Sequence, residues 1–208
     1  MICGYYLHLS ISAYYLTWRL KPNNFYGLQS FSECWKTPVL SSVAFFAYKR
    51  FATKILAPYF QPYCKDQKDK AKSIARSKRA AVAFAKSFYY FLNSIWGYIL
   101  LKDTDFLPAI LGGSGSLKNC FENVPYQEPI DGLLKYSLIS MGYYVGDLFD
   151  SVLINEASND YWEMIMHHML TVTLFGGMIM QNQMRVGVIV AFIHNLTDIF
   201  TSISRCSS

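Results

Sequence analysis

Apolar residues along the chain gather into five long stretches that are separated by polar segments. The stretches span about 38–58, 80–101, 130–154, 163–180 and 185–205. A helix that crosses a bilayer needs about 20 mostly apolar residues, and each stretch reaches this length or comes close to it. The pattern therefore predicts an all-α fold, in the form of a polytopic transmembrane helix bundle with about five spans.

Basic residues interrupt the first two stretches. Lys86 lies within 80–101, and three more cations lie in the latter half of 38–58, namely Lys49, Arg50 and Lys54. Lysine and arginine have long aliphatic stems that can follow an apolar surface while the charged end stays in water. We therefore expect the cations of 38–58 to reach back to the membrane interface, and this span is the weakest of the five.

Charge is scarce and unevenly distributed. Charged residues make up 16% of the chain, against about 25% in soluble domains, which favours the membrane class. Seven of the nineteen lysines and arginines fall within 65–79, so the positive-inside rule places a basic loop, 59–79, in the cytosol. The loop is short and includes acidic residues, which favours a solvated turn over a nucleic-acid site. Each following span crosses the membrane once, so successive loops alternate sides. This places 102–129 and 181–184 in the lumen and 155–162 in the cytosol.

Residues 1–37 form an N-terminal segment with neither a basic start nor a small-residue cleavage site, so it is not predicted to be a cleaved signal peptide. It is either a short membrane segment or an interfacial one. The five cysteines are scattered and form no CxxC pair. This spacing indicates neither a cysteine zinc site nor a disulfide framework.

Besides the cations of the first two stretches, six aspartates and histidines lie well inside the predicted spans: Asp147, Asp150, His167, His168, His194 and Asp198. Such groups cost roughly 2.5–3.5 kcal/mol each at membrane depth and are functional candidates by default. The two aspartates of 130–154 are three residues apart and the His–Asp pair of 185–205 is four apart, so each pair shares one helix face. The adjacent histidines are about 100° apart, so only one is expected to point at a common centre. Because three spans place polar groups in one layer near the cytosolic side, we predict one shared site.

Three chemistries fit this set. A histidine beside a carboxylate can act as a general acid or base, and a histidine can also be the nucleophile that takes an acyl group. Two or three histidines with an aspartate can bind a metal, and two histidines on different helices can bind haem. The spacing does not distinguish general acid–base catalysis from nucleophilic catalysis by histidine. It supports a metal or haem site less well than either. Simpler roles compete for single residues: Asp147 can pair with Lys135 or a tyrosine, Thr171 can bond a backbone carbonyl, and the aromatic run 88–91 can be packing.

Two segments resemble a known family. "DYWEMIMHHMLTVTL" at 160–174, followed by "RVGVIVAFIHNLTDIF" at 185–200, is similar to the Lag1 motif of ceramide synthases in the TLC (TRAM–Lag–CLN8) superfamily. The matching positions are Asp160, Glu163, Met164, His167, His168, Thr171, Arg185, Gly187, His194 and Asp198. The resemblance covers about 40–205 and predicts a TLC domain from 80 to the end. The chain has Asn195 where the family has an acidic residue, and it is expected to be incomplete because family members continue through further helices.

The resemblance implies a sphingoid-base N-acyltransferase that transfers a fatty acyl group from acyl-CoA to sphinganine or a similar long-chain base. It implies a multi-pass protein of the endoplasmic reticulum membrane. The implied catalytic residues are His167, His168, His194 and Asp198, and the supporting residues are Asp147, Asp150, Thr171 and Arg185. No metal is implied, and no cofactor beyond the acyl-CoA co-substrate. The expected partners are the two substrates and membrane lipids.

Other functions are compatible with the same residues. The main alternative is a non-enzymatic TLC protein that binds or senses lipid, or an inactive fragment. A metal-dependent membrane oxidoreductase or hydrolase is a third possibility, and it predicts stoichiometric metal. The sequence leaves the oligomeric state open, including a homodimer or heterodimer.

Overall fold

The structure, a computed structural model, describes residues 35–64, 69–124, 126–127, 130–154 and 161–206. These residues form five α-helices and two short 3-10 helices. The α-helices are α1 (Lys36–Phe60), α2 (Lys70–Leu101), α3 (Asp131–Ile154), α4 (Tyr161–Met180) and α5 (Met184–Cys206). The predicted all-α class is confirmed for the described residues. Most of the N-terminal segment 1–37 lies outside them, so its membrane role stays a prediction.

The second helix begins at Lys70, ten residues before the predicted span. Asp69 caps it, since its side chain accepts hydrogen bonds from the backbone N–H groups of Ala71 and Lys72 at 2.9 and 3.2 Å. A side-chain oxygen at this position satisfies donors that have no partner within the helix. Alanine, lysine and arginine then favour helix along 70–79. Much of the predicted basic loop is therefore the first part of α2.

The central helix of the bundle is α3, which contacts each of the other four. Two glycines allow its close approach to α1. A Cβ atom added to Gly142 would lie 2.5 Å from the carbonyl oxygen of Pro38, and one added to Gly146 would lie 2.8 Å from that of Ser42. Small residues four apart let two helix backbones meet in this way. The position of α1 against α3 brings Lys49 and Arg50, seven or more residues further on, to the same helix.

Aromatic side chains fill the centre of the bundle. The rings of Tyr89 and Tyr143 stack with centroids 3.7 Å apart, and Phe45 packs edge-on against both. Tyr89 and Tyr90 are buried, while Phe88 and Phe91 are about half exposed. The aromatic run 88–91 thus serves packing, as the simpler interpretation of the sequence predicted.

The connection between α2 and α3 is irregular, with 3-10 helices at Ala109–Leu111 and Leu117–Cys120. It folds over the turn between α4 and α5. Arg185 lies over the ring of Phe106 at 5.6 Å and donates to the carbonyl oxygen of Asn119 at 3.2 Å. Asn182 donates to the carbonyl oxygen of Gln127 at 2.7 Å. These contacts fix the loop at one end of the bundle.

Among the described helices, one stretch is long and apolar enough by composition to cross a membrane, Met184–Ser204 in α5. The charged residues inside α1, α2 and α3 reduce the apolar character of those helices. The arrangement of five spans therefore stays a prediction.

Candidate active site

Polar side chains meet in the interior of the bundle in two neighbouring groups. The first, which we call the ion-pair cluster, comprises Lys49 and Arg50 of α1, Lys86 of α2, Asp147 and Asp150 of α3, and His168 of α4. The second, the histidine trio, comprises His167 of α4 with His194 and Asp198 of α5. Tyr144 of α3 lies between them, since its ring centroid is 6.1 Å from that of His168 and 5.3 Å from that of His194.

Asp147 is the centre of the ion-pair cluster. Its side chain is 1% exposed, and it lies 2.5 Å from Nζ of Lys49 and 2.6 Å from Nζ of Lys86. Nε2 of His168 lies 2.9 Å from the same carboxylate, but off the line of an aligned hydrogen bond. Asp150 pairs with Lys49 at 2.5 Å and with Arg50. Two carboxylates thus neutralise most of the charge of three cations.

The partners of these aspartates differ from the expected ones. Asp147 pairs with two lysines from other helices and not with Lys135, which is exposed. Lys49 was expected to reach a membrane interface, and its side chain is instead 13% exposed and turned into the bundle. Lys54, five residues further along α1, is exposed. A buried carboxylate is costly unless it is paired, and this cost explains why Lys49 turns inward.

The histidine trio is more open. Nδ1 of His194 lies 3.1 Å from Oδ2 of Asp198, with side chains 24% and 14% exposed. The ring of His167 stacks on that of His194, with centroids 5.0 Å apart and an interplanar angle of 19°. One ligand-type atom from each of the three residues lies within 4.8 Å of the others. The predicted i,i+4 pair therefore forms, and a histidine of the neighbouring helix joins it.

The adjacent histidines belong to different groups, so the residues predicted to share one site divide between two groups, with one of these histidines in each. His168 is 1% exposed and faces Asp147, whereas His167 is exposed and faces His194. Thr171 donates to the backbone carbonyl of His167 at 2.8 Å, so its hydroxyl bonds to the backbone and not to an imidazole ring. Arg185 lies at the far end of α5, roughly 13 Å along the helix from His194. The structure thus brings Arg185 to the loop and not to either polar group.

Tyr144 and Asn195 tie the trio to the core. The Tyr144 hydroxyl lies 2.8 Å from Nδ1 of His194 and donates to Asn195 Oδ1 at 3.1 Å and Asp198 Oδ2 at 3.2 Å, as alternative acceptors for one proton. Asn195, which is fully buried, donates to the hydroxyl of Tyr136 at 2.9 Å. Sequence reasoning missed both tyrosines. The one available signal was the position of Tyr144, three residues before Asp147 on the same helix face.

Comparison with known proteins identifies the family. The family model described as the TLC domain, TRAM_LAG1_CLN8, matches residues 79–208, which is more than half of the chain. The chain belongs to the TLC domain family. The matched region contains the whole histidine trio, Tyr144 and both aspartates of the ion-pair cluster. Lys49 and Arg50 precede it, so the cluster joins the TLC domain to a helix outside the match.

Individual relatives place the TLC domain of this chain in the ceramide synthase branch. Ceramide synthase hyl-2 of Caenorhabditis elegans is 23% identical over 86% of this chain and 54% of its own length. Ceramide synthase hyl-1 of the same organism is 25% identical over 62% of this chain and 33% of its own length. Human ceramide synthase 5 is 24% identical over 44% of this chain and 23% of its own length. The match thus spans about half the length of hyl-2 and a third or less of the other two relatives.

The geometry of the TLC domain separates two kinds of chemistry. In the ion-pair cluster each carboxylate already contacts at least two cations, and little of either carboxylate is exposed. In the trio, an exposed imidazole lies against a second imidazole that contacts a carboxylate and a tyrosine hydroxyl. A carboxylate beside an imidazole fixes its tautomer and raises its basicity. The trio is therefore the part of the domain that is suited to proton or acyl transfer.

Proposed function

We propose that the protein is a sphingoid-base N-acyltransferase of the ceramide synthase type, which transfers a fatty acyl group from acyl-CoA to sphinganine or a similar long-chain base. The observation that carries this proposal is the exposed His167 ring, stacked on a histidine that is paired with Asp198. Membership of the TLC family and the ceramide synthase relatives support the same reaction.

A multi-pass position in the endoplasmic reticulum membrane is part of the proposal. Each helix has large apolar side chains on its outer surface, and these are costly to expose to water. Examples, one from each helix, are Phe51, Phe84, Phe149, Leu174 and Phe200, which are 47–73% exposed. Acyl-CoA has a soluble head and a membrane-soluble tail. Its thioester therefore meets a membrane-bound amine near the bilayer surface, at the depth predicted for the histidines.

His167 is the group that acts on the substrates, because it is the accessible ring of the adjacent pair. The amine nitrogen attacks the thioester carbonyl carbon, the C–S bond breaks, and CoA leaves as the thiol with the proton that the amine has lost. His167 carries that proton, or it first takes the acyl group itself and passes it to the amine. Both routes need a neutral, oriented imidazole. Nothing in either route requires a metal or a further cofactor.

The other residues have positioning roles in this proposal. Asp198 holds His194 against the His167 ring, and Tyr144 links that pair to the core. Asp147 and Asp150 act with the lysines to fix α1, α2 and α4 around α3. His168 belongs to this framework, and Thr171 and Arg185 stabilise the backbone and the loop. The initial set of eight candidates is thereby divided between three residues at the site and five that support it.

The test is ceramide formation in microsomes of a host that lacks the activity, with labelled sphinganine and acyl-CoA. We expect labelled ceramide from the wild-type chain and a loss of about 10²-fold or more in Asp198→Asn, since an imidazole that loses its orienting carboxylate loses its tautomer and position. Asp103→Asn is the matched control, because Asp103 is 87% exposed in the loop. Equal activity in the two variants would refute the role of the trio. No product from inserted wild type would favour a TLC protein that binds or senses lipid.

A further inference from the structure

We propose that the histidine trio is also a zinc-binding site. It offers two imidazoles and one carboxylate, and one ligand atom of each lies within 4.8 Å of the others. Zinc sites with three protein ligands and an open position use this kind of donor set. Imidazole favours zinc over magnesium or calcium, which prefer oxygen donors alone.

The distances fit zinc after a small movement. Zinc bonds to nitrogen and oxygen are about 2.0–2.2 Å, so two ligands of a tetrahedral site are roughly 3.4 Å apart. Nδ1 of His194 and Oδ2 of Asp198 are already 3.1 Å apart. The His167 ligand atom lies within 4.8 Å of the other two, so a closure of at most about 1.4 Å falls to His167, whose exposed side chain can rotate. The trio therefore needs no rearrangement of the helices.

The surroundings of the trio resemble those of a metal site. The Tyr144 hydroxyl contacts both His194 and Asp198, so a further oxygen is present at the same place. Asn195 holds this hydroxyl from the buried side. Groups that orient metal ligands in this way typically change metal affinity by about 10–100-fold when they are removed. The ion-pair cluster does not compete for zinc, because its carboxylates are saturated by lysine and arginine.

The experiment is a titration of the purified full chain in detergent micelles, with an affinity tag that contains no histidine. After removal of metals with a chelator, Co²⁺ is added and its visible absorption is followed, and Zn²⁺ is then used in competition. We expect one Co²⁺ per chain, displaced by Zn²⁺. His194→Asn and Asp198→Asn should each weaken binding by more than about tenfold, while Asp103→Asn binds as the wild type does.

Two results would overturn the site: no Co²⁺ absorption band in the folded wild type, or equal affinity in Asp198→Asn and Asp103→Asn. Thermal unfolding of each variant shows whether it is folded. The readout does not use turnover, so it separates this inference from the proposed function. If the proposed function is right, bound zinc occupies the lone pairs of the trio, and added Zn²⁺ should inhibit ceramide formation until a chelator is added. Zinc that binds the trio without inhibition would contradict the acyltransfer role and leave the metal site standing.

Discussion

The ion-pair cluster and the histidine trio are neighbours in the bundle, yet they differ in almost every property that bears on function. Both use α4, on which His168 of the cluster and His167 of the trio are adjacent residues. The cluster contains three cations and two carboxylates, and its central Asp147 is 1% exposed. The trio contains one carboxylate, no lysine or arginine, and an exposed imidazole. Chemically similar side chains have thus been placed in a closed environment and in an open one.

The difference teaches how position on a helix sets a role. A rotation of about 100° per residue turns His168 toward α3 and its aspartates and turns His167 toward α5. In the cluster, each carboxylate is paired at short range with two cations and is largely buried, so that neither carboxylate is available to a substrate. In the trio, the imidazole of His167 can be reached. A dense charged interior therefore supports the neighbouring reactive group without taking part in its chemistry.

Removal of a lysine from the cluster is expected to have the largest effect on stability. Lys49→Met leaves two buried carboxylates with fewer cations, and breaking a buried pair costs about 3–5 kcal/mol in the free energy of unfolding. Equilibrium unfolding in detergent micelles measures it. Lys54→Met is the matched control, because Lys54 is exposed on the same helix, and we expect a change within about 0.5 kcal/mol. Equal stability of the two variants would show that the cluster does not hold the bundle.

Loss of Asn195 is expected to have an intermediate effect. Asn195→Ala removes the partner of Tyr136 and one acceptor of Tyr144 in a fully buried position. An unsatisfied buried polar group costs about 1–3 kcal/mol. Thr197→Ala, at an exposed position of the same helix, should change the unfolding free energy by less than about 0.5 kcal/mol. If Asn195→Ala proved as stable as Thr197→Ala, the link between trio and core would be wrong.

Removal of one hydroxyl should have the smallest effect. Tyr144→Phe keeps the ring in its packing position and removes the contacts to His194 and Asp198. One hydrogen bond is worth about 1 kcal/mol, which corresponds to about fivefold in rate. We expect ceramide formation per folded chain to fall by about that factor. A loss of about 10²-fold or more, the size expected for a general acid or base, would make Tyr144 a catalytic residue and not a positioning one.

Much of the helix pattern could be predicted from the sequence. The stretches 130–154, 163–180 and 185–205 agree within two residues with α3, α4 and α5. The pairing of His194 with Asp198 followed from their spacing, because four residues make one helical turn. Both the helix bounds and this pairing depend on residues close in sequence, so local periodicity predicts them. Which helices cross a membrane could not be predicted as well. Hydropathy is evaluated one stretch at a time, and the charged residues of α1–α3 lower the mean hydropathy of those helices.

The ion-pair cluster could not be predicted in the same way. Lys49 and Asp147 are 98 residues apart, and Lys86 and Asp147 are 61 apart. Spacing within a helix says nothing about such pairs, and a lysine near the end of an apolar stretch is commonly interfacial. Gly142 and Gly146 of α3 allow α1 to approach closely, and this approach brings Lys49 to Asp147. The effect of the glycines is visible only in the packed pair of helices. Tyr144 was missed for the same reason, because its hydroxyl contacts residues 50 or more positions away.

The most direct test of this account compares His167→Asn with His168→Asn, two identical substitutions at adjacent positions. We expect His167→Asn to lose ceramide formation by about 10²-fold or more while the unfolding free energy changes by less than about 0.5 kcal/mol. We expect His168→Asn to lower the unfolding free energy by about 1–3 kcal/mol, because a buried ring beside Asp147 is lost. Full activity in His167→Asn, or equal destabilisation by the two variants, would contradict the division between a reactive trio and a supporting cluster.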